Sequence, residues 1–185
     1  MKSNFYVAIL TAFCVSQAFS AQLVSGTRQL SVGGSIDQTD KLNLRLNGNA
    51  GYFIMDQMEV GILGEWSMLH GNDITTISAG AFSEYNILLA DTDEIVPYLG
   101  ASLSLKYASY DIAGNKDPHL PNTIDQSNSA LELCGYAGAR YFMVENLAIG
   151  SALRLFFATD DIYYSDNGKF DAFNWDIILN TSFYF

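Results

Sequence analysis

Between Phe173 and Phe185 the chain alternates with a period of two. Phe173, Trp175, Ile177, Leu179, Thr181, Phe183 and Phe185 fall on one face of an extended strand, because successive side chains point to opposite sides. Asn174, Asp176, Asn180 and Ser182 share the other face. A soluble protein would bury such a strand and would have little use for an aromatic final residue. A strand with lipid outside and water inside accounts for both the alternation and the aromatic ends.

The same grammar recurs along the whole chain. Period-two segments run near Thr27–Ile36, from Leu42 to Tyr52, Met58–Leu69, Thr76–Leu88, Val96–Tyr107, Ala130–Phe142 and Leu147–Ala158, and the closing segment makes eight. The second is the clearest, with Leu42, Leu44, Leu46, Ala50 and Tyr52 set against Asn43, Arg45, Asn47 and Asn49. These lengths suit tilted strands that cross a bilayer. In hydrocarbon every backbone amide must be paired, so the strands must close on themselves. The expected fold is therefore all-β, an eight-stranded antiparallel up-and-down transmembrane β-barrel. Short connections (Met55-Asp56-Gln57, Ala90 to Ile95, Met143 to Asn146) alternate with Asp37 to Lys41, His70 to Thr75, Ala108 to Ser129 and Thr159 to Ala172, which include the long ones. Short turns on the periplasmic side and longer loops outside would leave both termini in the periplasm.

The first residues read as a secretory signal. Met1-Lys2-Ser3-Asn4 is a short basic start, Phe5 to Val15 is apolar, and Ala18-Phe19-Ser20 puts small residues where a signal peptidase reads. The expected organisation is a cleaved signal over 1–20 and a barrel domain over 21–185. The apolar run is too short for a spanning helix, which needs roughly 20 residues. Loss of Lys2 leaves 9 − 1 = 8 basic residues against 20 acidic ones, a net charge of −12. Nucleic acid is excluded as a partner on that charge. Cys14 lies in the signal, so Cys134 alone remains and no internal disulfide is expected.

An eight-stranded barrel has an interior just wide enough for side chains to fill. The inward set predicted by the alternation is nearly balanced in charge: Arg45, Lys106, Arg140 and Arg154 face Glu65, Glu84, Glu132 and Asp176, with Glu59 near the lower rim. Unpaired charges there would cost several kcal/mol each, so pairing is expected. Counting up from the short turns sets Arg45, Lys106, Glu132 and Asp176 at one height and Glu65 and Arg154 slightly lower, as two stacked clusters. Such a network reads as a structural plug, and the alternative is an ion path through rearranging pairs.

Other sites are sparse. Catalysis would need a His with a carboxylate and a Ser at the rim. His119 lies in a long loop, while His70 tops the third strand near Asp73 and Ser67. A rim His is more often solvated than catalytic, so no catalytic residue, metal site or cofactor is assigned. Asp160-Asp161, Asp166-Asn167-Gly168 and Asp171 lack calcium-loop spacing and read as a hairpin tip. Tyr52, Phe53, Tyr98, Tyr107, Tyr110, Tyr141, Phe142, Phe157, Phe173, Phe183 and Phe185 gather at predicted strand ends, where aromatic girdles would lie.

With these residues on the page, the chain resembles the small outer-membrane β-barrel superfamily of the OmpA transmembrane domain and OmpX. The carrying stretches are Gly26-Thr27-Arg28-Gln29-Leu30-Ser31-Val32-Gly33-Gly34, Val96-Pro97-Tyr98-Leu99-Gly100, Gly138-Ala139-Arg140-Tyr141-Phe142-Met143-Val144-Glu145-Asn146-Leu147-Ala148 and the aromatic-ended last strand. The resemblance implies residence in a Gram-negative outer membrane. Trp175, Leu179, Phe183 and Phe185 look like the signal read by the barrel-assembly machinery. Unlike the pattern of that family, no periplasmic peptidoglycan-binding domain, and hence no cell-wall tether, is expected beside the barrel. The expected function is a structural or surface-interaction role in the envelope with a polar, plugged interior. A narrow pore or small-solute conduit and a lipid-modifying barrel enzyme are the alternatives. Expected partners are outer-membrane lipid, lipopolysaccharide and, during insertion, the assembly machinery, with the protein a monomer.

Overall fold

A computed structural model describes residues 23–38, 42–69, 74–89, 94–113, 123–164 and 170–185. The strands are β1 (Arg28–Gln38), β2 (Leu42–Met55), β3 (Met58–Leu69), β4 (Ile74–Asn86), β5 (Ile95–Ala113), β6 (Thr123–Val144), β7 (Leu147–Ala158), β8 (Tyr163–Tyr164), β9 (Phe170–Asp171) and β10 (Phe173–Tyr184). Eight of them close into one antiparallel barrel in the order β1-β10-β7-β6-β5-β4-β3-β2, so each strand pairs with its chain neighbours apart from the short β8–β9 hairpin. Closure is made by β1 and β10, from Gln29↔Tyr184 to Gly34↔Leu179. No backbone edge is then left open along the wall, as a hydrocarbon surround demands. The expected up-and-down transmembrane barrel is the fold observed.

The wall is inside out relative to a soluble protein. Ile62, Leu105 and Leu179 are 67%, 70% and 63% exposed on the outside, while Arg45, Glu65, Lys106, Arg140 and Asp176 are buried inside. This alternation pins the register, since a one-residue slip would turn every charge toward lipid. Inward glycines make room for tall neighbours. A methyl group at Gly61 would stand 2.6 Å from Phe82 Cε1, one at Gly100 2.5 Å from Tyr136 Cζ, and one at Gly138 2.8 Å from Tyr98 Cζ. No side chain but hydrogen fits at such distances.

The two tight turns of the base, at Asp56-Gln57 and Glu145-Asn146, each follow a bulge, between Phe53 and Met55 and between Phe142 and Val144. Gln57 takes a left-handed φ of 68°. Its conformation is held by N–H donation to Leu23 O (2.8 Å) and by Asn86 N donating to its carbonyl (2.8 Å). Leu23 thereby becomes a cap under the barrel, buried with Phe53, Val96, Phe142, Ala148 and Tyr184.

Two expectations are corrected here. Ala108–Ala113 and Thr123–Ser129 are not loop. They continue β5 and β6, with β4 alongside as far as Ile74↔Tyr110 and then as a two-stranded ribbon paired through Ala113↔Thr123, well past the top of β7 at Ala158↔Glu132. The aromatic girdle also loses three members, because Phe53, Tyr98 and Phe142 point inward and are buried. The outward aromatics do stand at two levels. Tyr52, Tyr141, Phe183 and Phe185 ring the base, and Tyr107, Phe157 and Phe173 the top, with Phe157 and Phe173 5.1 Å apart. The proposed signal segment, the side chain of Tyr110, His70, His119 and the hairpin tip at 165–169 lie outside the described residues or side chains.

Candidate functional site: the barrel interior

The upper half of the lumen holds a six-residue charge network drawn from six strands. Cross-strand register sets Asp176 of β10 opposite Arg154 of β7. Arg154 grips it as a fork, Nε to Oδ1 at 2.8 Å and Nη2 to Oδ2 at 2.7 Å, and reaches Glu65 Oε2 through Nη1 at 2.9 Å. Arg45 Nη1 donates to Asp176 Oδ2 (2.6 Å), and its Nε lies 3.5 Å from Glu65 Oε1. Lys106 Nζ donates to Glu132 Oε2 (2.8 Å) and lies 3.7 Å from Glu65 Oε1. Three cations therefore meet three acids, and charge cancels within the cluster. Ser35 Oγ and Ser104 Oγ donate to spare lone pairs of Asp176 (3.3 Å) and Glu132 (3.0 Å). The ring of Phe156 lies among the cations, 4.9 Å from Arg154 Cζ and 5.2 Å from Arg45 Cζ. Charge-assisted bonds of this geometry offset the desolvation that burying six charges incurs.

The lower half is sparser. Arg140 donates through Nη2 to Glu84 Oε2 at 2.8 Å and through Nη1 to Asn86 Oδ1 at 2.7 Å, and its Nη1 also lies 2.5 Å from Glu84 Oε1 as an ion pair. Its guanidinium stacks on Tyr98, 4.1 Å from the ring centroid. Glu59 is fully buried and lies directly opposite Glu84 in the β3–β4 register. Among the described residues Glu59 makes no ion pair, and Gln29 lies against its carboxylate in a position for the amide to bridge Glu59 and Ser182. Gly51 is what admits Glu59, because a methyl group there would collide with its carboxylate.

Between the halves lies a cavity of about 60 Å³, lined by Asn47, Asn49, Asn180, Tyr98, Cys134 and Tyr136 among others. The Oδ1 atoms of Asn47, Asn49 and Asn180 and the Tyr98 hydroxyl are buried without a protein partner. Water-sized molecules with two or more polar contacts suit such a space.

The eight predicted charges thus all face inward, but in groups that differ from those counted up from the turns. Glu65 and Arg154 join the upper network, while Glu84 and Arg140 form a separate pair below. Strand tilt is the reason, because residues equally far from their turns do not stand at equal heights. Sequence reasoning passed over Leu23, Gln29, Ile162 and Tyr163. An Ile162-Tyr163-Tyr164 run inside an acidic loop is the one signal that pointed to the loop residues. Trp175, Leu179 and Phe183 face outward on β10, and Phe185, the residue after it, is exposed as well. Among the described residues no group of three or more His, Cys, Asp or Glu side chains could hold a metal ion.

No protein-family model and no curated protein sequence matches the chain. Solved structures do match its fold. Neisserial surface protein A is 18% identical, with a TM-score of 0.60 over 85% of this chain and 95% of that one. The outer-membrane protein OprG of Pseudomonas aeruginosa is 14% identical, with a TM-score of 0.57 over 91% and 99% of the two chains. The amino-terminal barrel domain of OprF from the same organism is 15% identical, with a TM-score of 0.56 over 87% and 98%. The chain shares the fold of the small outer-membrane barrels, the superfamily that its sequence resembles.

Proposed function

We propose that this protein is an integral barrel of a Gram-negative outer membrane, with a structural or surface-interaction role and an interior that is plugged. The observation that carries the reading is the distribution of charge. A lumen filled by paired acids and bases, inside a wall whose outer face is continuously apolar, suits a molecule solvated by lipid outside and by its own side chains within. In this reading the tight turns and Leu23 face the periplasm, with both termini there, and the β5–β6 ribbon stands outside the cell. Exposed Asp160, Asp161 and Asp171 at the outer loops suit divalent cations that bridge to lipopolysaccharide phosphates. Trp175, Leu179, Phe183 and Phe185 form the outward stripe offered to the assembly machinery. The test is fractionation followed by electrophoresis. The protein should partition with outer membranes and migrate faster unboiled than boiled, whereas a soluble periplasmic protein with one mobility would refute the reading.

The internal cavity favours a second reading, a narrow conduit for small solutes. It predicts discrete conductance in planar bilayers, and a silent folded barrel would remove it.

A further inference from the structure

The top of the lumen is sealed by a segment that is not part of the barrel wall. Past the end of β7 the chain is stapled to β6, with Thr159 N donating to Leu131 O (2.9 Å) and Leu131 N donating to Thr159 Oγ1 (3.1 Å). Ile162 and Tyr163 then turn into the mouth of the barrel, 2% and 7% exposed, against Ala130, Cys134 and Phe156. The Tyr163 ring lies 4.8 Å from Lys106 Nζ and 6.2 Å from the Phe156 ring. Its hydroxyl donates to the Glu132 carboxylate. Burial first, and the neighbouring Glu132 charge second, push this hydroxyl above its ordinary value, so it stays protonated and remains the donor.

Two features separate this plug from the one at the base. Ile162 and Tyr163 hold their place mainly through side-chain contacts, and among the described residues the β8–β9 hairpin shows two residue pairs and none with the barrel. A pairing that short has little stability of its own, and movement of Ile162 and Tyr163 breaks no hydrogen bond of the barrel ladder among the described residues. The mid-barrel cavity lies lower, bordered by Glu65, Glu132 and Arg154 of the charge network, and its lining includes Glu132, Cys134 and Phe156, the same side chains that Tyr163 contacts or packs beside. At roughly 10–15 Å³ for each water centre, its 60 Å³ takes a small water cluster. The unpartnered oxygens of Asn47, Asn49 and Asn180 ask for hydrogen-bond donors. The floor is closed by the Arg140–Glu84 pair and, below it, by the apolar cluster of Phe53, Phe142 and Tyr184.

We propose that Ile162 and Tyr163 form a removable lid, and that the cavity beneath is a blind chamber for small, donor-bearing polar molecules entered from the loop side. This goes beyond the plugged-barrel reading, which survives if the lid fails.

Cys134 is the reporter, because its thiol is buried under the lid and lines the chamber. The purified folded protein is treated with a small cationic methanethiosulfonate, and modification of Cys134 is followed by peptide mass. Modification of wild type should be slow, Tyr163→Ala should speed it by about tenfold or more, and Tyr163→Phe, which keeps the ring, by only a few-fold. Heat-modifiable mobility certifies that each variant is a folded barrel. Wild-type labelling as fast as that of urea-unfolded protein would overturn the lid, as would equal rates in wild type and Tyr163→Ala. Collapse of the barrel in both variants would overturn it too, since the segment would then be structural rather than removable.

Discussion

The two halves of the lumen solve the same problem differently. The upper half buries six charges that share partners: Glu65 lies within 4 Å of Arg45, Lys106 and Arg154, and Asp176 is held by two arginines. The lower half buries Arg140 as its one cation among the described residues, with Glu84 paired to it and Glu59 close by, and seals itself with an aromatic cluster below. Counted over the described buried residues, the lumen holds four cations (Arg45, Lys106, Arg140, Arg154) and five acids (Glu59, Glu65, Glu84, Glu132, Asp176). The excess acid falls entirely at the base. A shared network tolerates the loss of one member better than an isolated pair, since the remaining partners can close on the orphaned charge.

That difference can be broken by substitution, with unfolding followed by urea titration of vesicle-inserted protein. The largest effect is expected for Arg140→Met, which leaves Glu84 and Glu59 without a cation and should cost about 3–5 kcal/mol. Next comes a change on the outer face. Leu179→Arg, at a site 63% exposed and midway between Phe173 of the upper ring and Phe185 of the lower, should cost about 2–4 kcal/mol. Arg154→Met removes three good hydrogen bonds, yet Arg45 and Lys106 stay within reach of its acids, so a loss nearer 2 kcal/mol is expected. Equal losses for Arg140→Met and Arg154→Met would show that sharing gives no protection. The smallest is Ser67→Ala, which breaks one buried hydroxyl pair with Thr76 (2.6 Å) and should cost about 1 kcal/mol.

The wall was legible in the sequence, because lipid outside and charge inside force a period of two on every strand. Arg45, Glu65, Lys106 and Asp176 could be set inside by parity alone. Their grouping could not, because strand tilt decides which heights coincide. Phe53, Tyr98 and Phe142 were misplaced by their nearness to strand ends, although parity already put Phe53 opposite outward Tyr52 and Tyr98 beside outward Leu99. The aromatic base seal, which has no periodic signature, is what that nearness concealed. The β5–β6 ribbon was missed for the opposite reason. The alternation of the wall breaks here, because the apolar parity switches from Leu105 and Tyr107 to Tyr110 and Ile112, and Thr123–Ser129 is polar apart from Ile124. Leu23 and Tyr163 are fixed by contacts distant in sequence, to Phe53 and Glu132; nothing local announces Leu23, and only the Ile162-Tyr163-Tyr164 run in an acidic loop hints at Tyr163.

The central claim, apolar wall to lipid and charges within, can be tested on the unaltered protein because Trp66 and Trp175 are its two tryptophans and both face outward. The measurement is their fluorescence in vesicles whose acyl chains carry bromine. Strong quenching by the brominated lipid, with little quenching by aqueous acrylamide, is the predicted result. Emission that ignores the bromine and yields to acrylamide would contradict the lipid-facing wall.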